Sequence, residues 1–229
     1  MKKTNTEKTL LAAALALGLA AGASAQQAQP AQPAQPEAFS AAGLIGTNYA
    51  ELSAGYQKQD ATPGVLHDYG LLLNQSVVRD GSFGFDGNFS YDYLTAGAAG
   101  LHDYRNSIMM GATAYLVEGW GKPFVTADAG LVTQQTAGST SNALGYNLTG
   151  GIEVPVTDAF FVTPFATYEG DPHLQDHAPA VATLPNYIWY YGAKATYRFT
   201  RQWSVSLAAQ LDQHNVDDLG LRAAIGYRF

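Results

Sequence analysis

The stretch that decides the fold reads Phe83-Gly84-Phe85-Asp86-Gly87-Asn88-Phe89-Ser90-Tyr91-Asp92-Tyr93. Aromatic residues alternate with polar or small residues, and only Gly87 interrupts the pattern. Because successive side chains of a β-strand point to opposite faces, the rings share one face and the polar groups share the other. Ordinary strands span about five or six residues, whereas about nine to eleven are needed to cross a bilayer with tilt. The stretch therefore predicts a long strand between an apolar and a polar environment.

The N-terminus has the pattern of a secretory signal peptide. Lysines precede an apolar run over residues 10–22, and a segment of small residues ends at Ala25. This arrangement predicts a cleaved signal peptide over residues 1–25. Residues 26–39 are rich in Ala, Gln and Pro, a composition typical of a flexible tether. A single domain over residues 40–229 is left.

The composition excludes several classes of protein. Without the three lysines and one glutamate of the signal peptide, totals of 12 basic and 19 acidic residues become 9 and 18, a formal charge of −9. Such a chain is a poor partner for nucleic acid. It contains no cysteine, which excludes disulfides, metal thiolates and a cysteine nucleophile. Since no apolar helix follows the signal peptide, a membrane form must be a closed barrel.

Alternating segments recur ten times in the remaining chain. We expect four short connections at one end, with longer and more variable ones at the other, as in bacterial barrels whose termini both lie on the periplasmic side. The sequence thus predicts an all-β protein, a transmembrane antiparallel up-and-down β-barrel of about ten strands, with eight as the alternative count. The expected strands cover residues 47–57, 67–78, 83–94, 104–117, 123–134, 143–154, 159–169, 187–199, 203–212 and 218–229.

Charge decides which face of each strand points outward. In the strand from Tyr187, aromatic residues alternate with Lys194 and Arg198. Placing Lys194 against lipid would cost about 2 to 4 kcal/mol, so the aromatic face is predicted to be the outer one. The seventh strand has Phe or Tyr on both faces and Pro164 within it, so its register stays open.

The predicted lumen carries charges of both signs. We expect them to neutralise one another and fill the interior, because eight to ten strands leave room for little more than side chains. Glu51 and Arg222 are a candidate pair, since the first and last strands meet on closure. A slim water or ion path is the functional alternative. The inward charges are Glu51, Asp86, Asp92, Asp128, Glu153, Lys194, Arg198, Arg222 and Arg228.

The signal peptide, the ten two-faced strands and the terminal Tyr227-Arg228-Phe229 together resemble small porin-like or surface-antigen barrels of the Gram-negative outer membrane. The resemblance implies an outer-membrane location and a partner in the barrel-assembly machinery, which reads the terminal aromatic residues Tyr227 and Phe229. It also implies contact with outer-membrane lipid and lipopolysaccharide, and no cofactor. The oligomeric state does not follow from it.

Two further interpretations concern the outer loops. Each histidine has an aspartate within two residues, and Asp212-Gln213-His214 is similar to the Asp-x-His element of omptin-type outer-membrane proteases. The second acidic pair of omptins is not found, so a rim-located Asp/His hydrolase of omptin type is only an alternative. The main prediction is a barrel with a structural or surface-interaction role that is not an enzyme and has no metal site. The rim candidates are Asp171, His173, Asp176, His177, Asp212 and His214.

In the other interpretation, the loops act as an adhesin or receptor surface. Acidic loop residues could also bind divalent cations that bridge lipopolysaccharide. The residues that motivate this hypothesis are Asp60, Asp68, Asp103, Asp171, Asp176, Asp217 and Asp218.

Overall fold

Ten antiparallel strands follow one another along the chain. The computed structural model describes residues 43–58, 65–96, 104–136, 139–170, 187–213 and 219–229. The predicted signal peptide and tether lie outside these residues. The strands are β1 (Tyr49–Lys58), β2 (Val65–Asp80), β3 (Phe83–Ala96), β4 (Tyr104–Leu116), β5 (Lys122–Thr136), β6 (Ser139–Pro155), β7 (Phe160–Gly170), β8 (Tyr187–Arg198), β9 (Trp203–Asp212) and β10 (Leu219–Arg228).

The sheet closes on itself. Each strand pairs with its neighbours in sequence, and β1 pairs with β10 over a register that runs from Tyr49 opposite Arg228 to Gln57 opposite Gly220. Closure leaves no unpaired sheet edge. The ten-stranded up-and-down barrel expected from the alternation is confirmed, and the eight-stranded alternative is wrong. No helix in the described part of the chain is long and apolar enough to cross a membrane.

The short connections lie at one end of the barrel, as expected. They comprise residues 81–82, 117–121, 156–159 and 199–202. This end also carries the start of β1 and the end of β10, and we call it the short-turn end; the other is the long-loop end. One expected loop, residues 135–142, is wrong, because the ladder between β5 and β6 continues to Thr136 opposite Ser139.

The wall has two different faces. In β3, Phe83 and Phe85 are 45% and 38% exposed, whereas Asp86, the residue after Phe85, is 1% exposed. In β8 and β9 the outward residues Tyr191, Tyr197 and Leu207 are likewise exposed. Across the described parts of β3 to β10, no Asp, Glu, Lys or Arg occupies an outward position. The alternation in the sequence therefore becomes an apolar exterior and a charged lumen.

The structure settles the register of β7. Phe161 is buried inside, and Thr163 and Phe165 line the lumen, so the odd-numbered residues point inward. Pro164 points outward, opposite Ala193 of β8. In β2, an extra residue, Val77, forms a bulge between the pairs of Ser76 and Val78. The bulge leaves both valines exposed on the outer wall.

Candidate functional site: the barrel lumen

Residues 43–48, which precede β1, occupy the lumen at the short-turn end, and we call them the plug. The N–H of Leu44 donates to Glu153 Oε2 at 2.9 Å, and the N–H of Gly46 donates to Asp86 Oδ2 at 2.8 Å. Lys122 Nζ donates to the Ile45 carbonyl oxygen at 2.7 Å. Side chains from β3, β5 and β6 thus hold the backbone of the plug.

Two glycines allow the plug to lie this close to the wall. Gly43 and Gly46 have φ values of 95° and 82°, which a residue with a Cβ rarely adopts. A Cβ on Gly43 would lie 1.8 Å from Glu153 Oε1, and one on Gly46 would lie 2.6 Å from the Tyr115 hydroxyl. The plug therefore needs glycine at both positions, for backbone conformation and for space.

The side chains around the plug form a buried polar group. Asp86, Glu153 and Lys122 are all less than 9% exposed, and Lys122 Nζ lies 3.6 Å from Glu153 Oε1. Asn74 Nδ2 lies 2.8 Å from the Thr47 carbonyl oxygen and 3.0 Å from Asp86 Oδ2, close enough to donate to either. The predicted lumen residues Asp86 and Glu153 are thus engaged with the chain's own N-terminal segment.

Above the plug, one ion pair crosses the lumen. Lys194 Nζ of β8 donates to both carboxylate oxygens of Glu51 in β1, at 2.8 and 2.6 Å. The two strands are not neighbours, because β9 and β10 lie between them. The expected pairing of Glu51 with Arg222 is wrong.

Arg222 instead binds two aspartates closer to the long-loop end. Its Nε donates to Asp68 Oδ2 at 2.7 Å, and its terminal nitrogen donates to Asp92 Oδ1 at 3.1 Å. Asp68 therefore lies in the lumen and is paired there, which contradicts its assignment to an acidic outer surface. On the facing side, Arg105 forms an ion pair with Glu169.

The other predicted lumen charges have different surroundings. Asp128 accepts from Asn88 Nδ2 at 2.8 Å and faces the open part of the lumen. Arg198 lies at the short-turn end, where it donates to the Asp158 carbonyl oxygen at 2.8 Å. Arg228 borders a small void beside the plug. The expected inward direction of these side chains agrees with the geometry, whereas a role in conduction stays a prediction.

A cavity of about 360 Å³ lies above the plug. Leu44 and Ile45 form its floor, and its lining reaches Asp68 and Arg222. Many of the lining side chains are threonines, some of which pair across strands through their hydroxyls, as in Thr113 with Thr126 and Thr149 with Thr167. The volume is enough for several water molecules. The sequence predicted a lumen filled by side chains. The cavity shows that this prediction is wrong for the part of the lumen above the plug.

Inward glycines keep this cavity open. The Phe124 ring of β5 lies against Gly151 of β6, where a Cβ would be 2.7 Å from Phe124 Cζ. The Phe165 ring of β7 lies against Gly192 of β8 in the same way, with a corresponding distance of 2.7 Å. Each ring occupies the space that a side chain at the facing glycine would take. The ring therefore lies along the wall and does not project into the cavity. On the β4 to β6 side, Met109, Val132 and Ala143 fill the lumen nearer the long-loop end.

The candidates at the outer rim are only partly described. Asp212 ends β9 and is half-buried. The other rim candidates, Asp171, His173, Asp176, His177 and His214, lie outside the described residues, as do the long loops. Among the residues that are described, no group of three or more His, Asp or Glu side chains is arranged to hold a metal ion.

Sequence reasoning missed Lys122 and the plug. Lys122 lies just before the expected strand 123–134, although its alternation with Phe124, Thr126 and Asp128 puts it on the inward face. The plug carries a weaker signal, because the glycines at 43 and 46 precede the first strand in a segment that has no periodicity. Local pattern cannot show that such a segment folds back into the lumen.

Fold and wall together define the protein as a closed, up-and-down antiparallel β-barrel with an apolar exterior and a polar interior. No protein-family model matches the chain, and no curated protein matches it. Among solved structures, the chain is similar to the NanC porin, at 8% identity and a TM-score of 0.43, over 79% of this chain and 100% of that one.

Two other solved structures are similar over comparable lengths. The β domain of the Bordetella autotransporter BrkA has 13% identity and a TM-score of 0.46, over 80% of this chain and 99% of that one. Neisserial surface protein A has 14% identity and a TM-score of 0.40, over 80% and 96%. At these values the three structures add no argument about function.

Proposed function

We propose that the protein is an integral barrel of the bacterial outer membrane and that its lumen is a narrow, porin-like conduit for small polar solutes or ions. The observation that carries the proposal is the two-faced wall, which encloses a polar cavity of about 360 Å³. An exterior without charged side chains on the described parts of β3 to β10 suits hydrocarbon, because a cation at mid-bilayer costs about 2 to 4 kcal/mol.

The aromatic residues support the same placement. Trp203 and Tyr227 lie in contact at the short-turn end, with ring centroids 4.8 Å apart. Tyr168, Trp189 and Tyr191 form a second outward group nearer the long-loop end. Two aromatic groups at opposite ends of the wall fit the two interfaces of a bilayer.

Assembly is a further part of the proposal. Tyr227 and Phe229 lie at the end of the last strand and just after it, and Phe229 is 50% exposed. We propose that the barrel-assembly machinery recognises these terminal aromatic residues and that lipid and lipopolysaccharide surround the inserted wall. Replacing Phe229 with Ala is expected to reduce the amount of inserted barrel in cells without changing its stability after refolding in vitro.

Two alanines on adjacent positions of β10 provide a matched test of conduction. Ala224 lines the cavity, whereas Ala223 points outward. The full mature chain in planar bilayers is expected to show brief stepwise conductance. Ala224→Trp should abolish the steps by filling the lumen, and Ala223→Trp should leave them unchanged.

Three results would contradict the proposal. Recovery of the protein in the aqueous fraction after cell breakage without detergent would exclude the membrane location. Equal conductance of the two tryptophan variants would place the current outside the lumen. The conduit would be excluded if the full chain showed no conductance in long recordings and the double variant Gly43→Ala with Gly46→Ala, which weakens the plug, showed none either.

A further inference from the structure

We propose that the plug is a displaceable gate: the short-turn mouth of the barrel is a binding site for a backbone segment, and release of residues 43–48 from it opens the lumen. The inference rests on the proposed conduit and adds the means of closing it. It concerns the floor of the cavity, where Leu44 and Ile45 separate the open part of the lumen from the short-turn end.

Release of the plug leaves the barrel ladder complete. The described pairs of β1 with β2 and with β10 both begin at Tyr49, after the plug has ended. Beyond its covalent link to β1, the plug is held to the wall by contacts that involve side chains. Release of residues 43–48 would break the described hydrogen bonds with Glu153, Asp86 and Lys122. It would also break the bonds that Asn74 and Ser76 of β2 donate to Thr47 and Asn48.

The wall groups that hold the plug are incompletely satisfied when it is bound. Within the described part of the chain, Asp86 Oδ1 is buried and accepts no hydrogen bond from another protein group, and Glu153 Oε1 has only the longer contact with Lys122 Nζ at 3.6 Å. A buried carboxylate oxygen without a partner is unfavourable, and water can supply that partner once the plug leaves. The gain from the plug's hydrogen bonds is thus partly offset by this desolvation. Such an offset is the feature expected of a segment that can leave its site.

The alternative is that the plug is a static part of the core. Weakening a static plug would lower the stability of the barrel but would not open the lumen. The two cases differ in what a weakened plug does to conductance. Gly43→Ala combined with Gly46→Ala introduces both clashes with the wall and unfavourable φ at two positions. Gly81→Ala is the matched control, because Gly81 lies in a turn at the same end with φ 56°, and a Cβ there meets nothing within 4 Å.

In planar bilayers, the double variant should conduct for a fraction of time at least about tenfold higher than Gly81→Ala. The reason is that loss of one charge-assisted hydrogen bond changes the ratio of released to bound plug by about a factor of ten or more. Circular dichroism and heat-dependent gel mobility check that both barrels are folded. An open fraction equal to that of the control, with both barrels folded, would overturn the gate.

A second measurement locks the plug in place instead of loosening it. The chain has no cysteine, so Leu44→Cys with Glu153→Cys can be bridged by a short, reducible thiol cross-linker. The bridged protein should be silent, and reduction should restore conductance in the same membrane. The same double variant, treated with a thiol reagent that cannot bridge two cysteines, is the control and should conduct before and after reduction.

The outcomes separate the gate from the conduit. Conductance that is the same in bridged and reduced protein would overturn the gate and leave the conduit in place. Silence of every form, including the reduced protein and the loosened double variant, would overturn both. Conductance that appears on loosening and disappears on bridging would support both.

Discussion

Neutralising either partner of the ion pair between Glu51 and Lys194 tests how the lumen is organised. The pair has two short hydrogen bonds, and its side chains are 9% and 23% exposed. Removing one partner from a buried pair costs about 3 to 5 kcal/mol, and the partial exposure of Lys194 places the expected cost nearer 2 to 3 kcal/mol. Glu51→Gln and Lys194→Met should each lower the free energy of unfolding by about this amount.

The double variant isolates the interaction. Because the second substitution removes the charge that the first left unpaired, the combined loss should be smaller than the sum by about 1 to 3 kcal/mol. The same cycle with Arg222→Met in place of Lys194→Met should give a coupling of about 0.5 kcal/mol or less, since Arg222 binds Asp68 and Asp92 instead.

The assay is reversible urea unfolding in lipid vesicles, monitored by tryptophan fluorescence. The slope of unfolding free energy against urea concentration must be the same for all variants. A coupling of Glu51 with Arg222 that equals or exceeds its coupling with Lys194 would refute the assignment of these pairs. Additive losses for Glu51 and Lys194 would show that water in the lumen screens the pair fully.

Two other matched pairs test the wall. Leu148→Arg, on the outer face of β6, should lower the free energy of unfolding in vesicles by about 2 to 4 kcal/mol. Thr149→Arg, which faces the lumen, should lower it less. Equal losses in urea unfolding would mean that the outer face does not contact lipid. Gly151→Ala should cost about 1 to 3 kcal/mol, because its Cβ would lie 2.7 Å from both the Phe124 ring and the Pro164 carbonyl oxygen, and displacement of the ring into the lumen should reduce conductance. Gly150→Ala, with open space around it, should change neither, and an unaffected Gly151→Ala would contradict the close packing at this position.

The faces of the strands could be predicted from the sequence because they depend on local alternation and on charge. A one-residue slip exchanges every side chain between faces, so Lys194 and Arg198 alone oriented β8 correctly. The same reasoning failed for β7, where Phe161 points inward beside the outward Phe160, since two aromatic residues in a row carry no preference. The number of strands followed from counting the alternating segments, although the ends of β5 and β6 were misplaced.

The sequence by itself determined a two-faced, ten-stranded barrel with its charges inside. Only the tertiary structure decided which charges meet: Glu51 with Lys194 across the lumen, and Arg222 with Asp68 and Asp92. Alternation along a strand tells which face a side chain is on, but the partner across the lumen depends on the tilt and stagger with which the sheet closes. The return of residues 43–48 into the lumen was likewise decided by closure, because the acceptors that hold this segment come together only in the finished barrel.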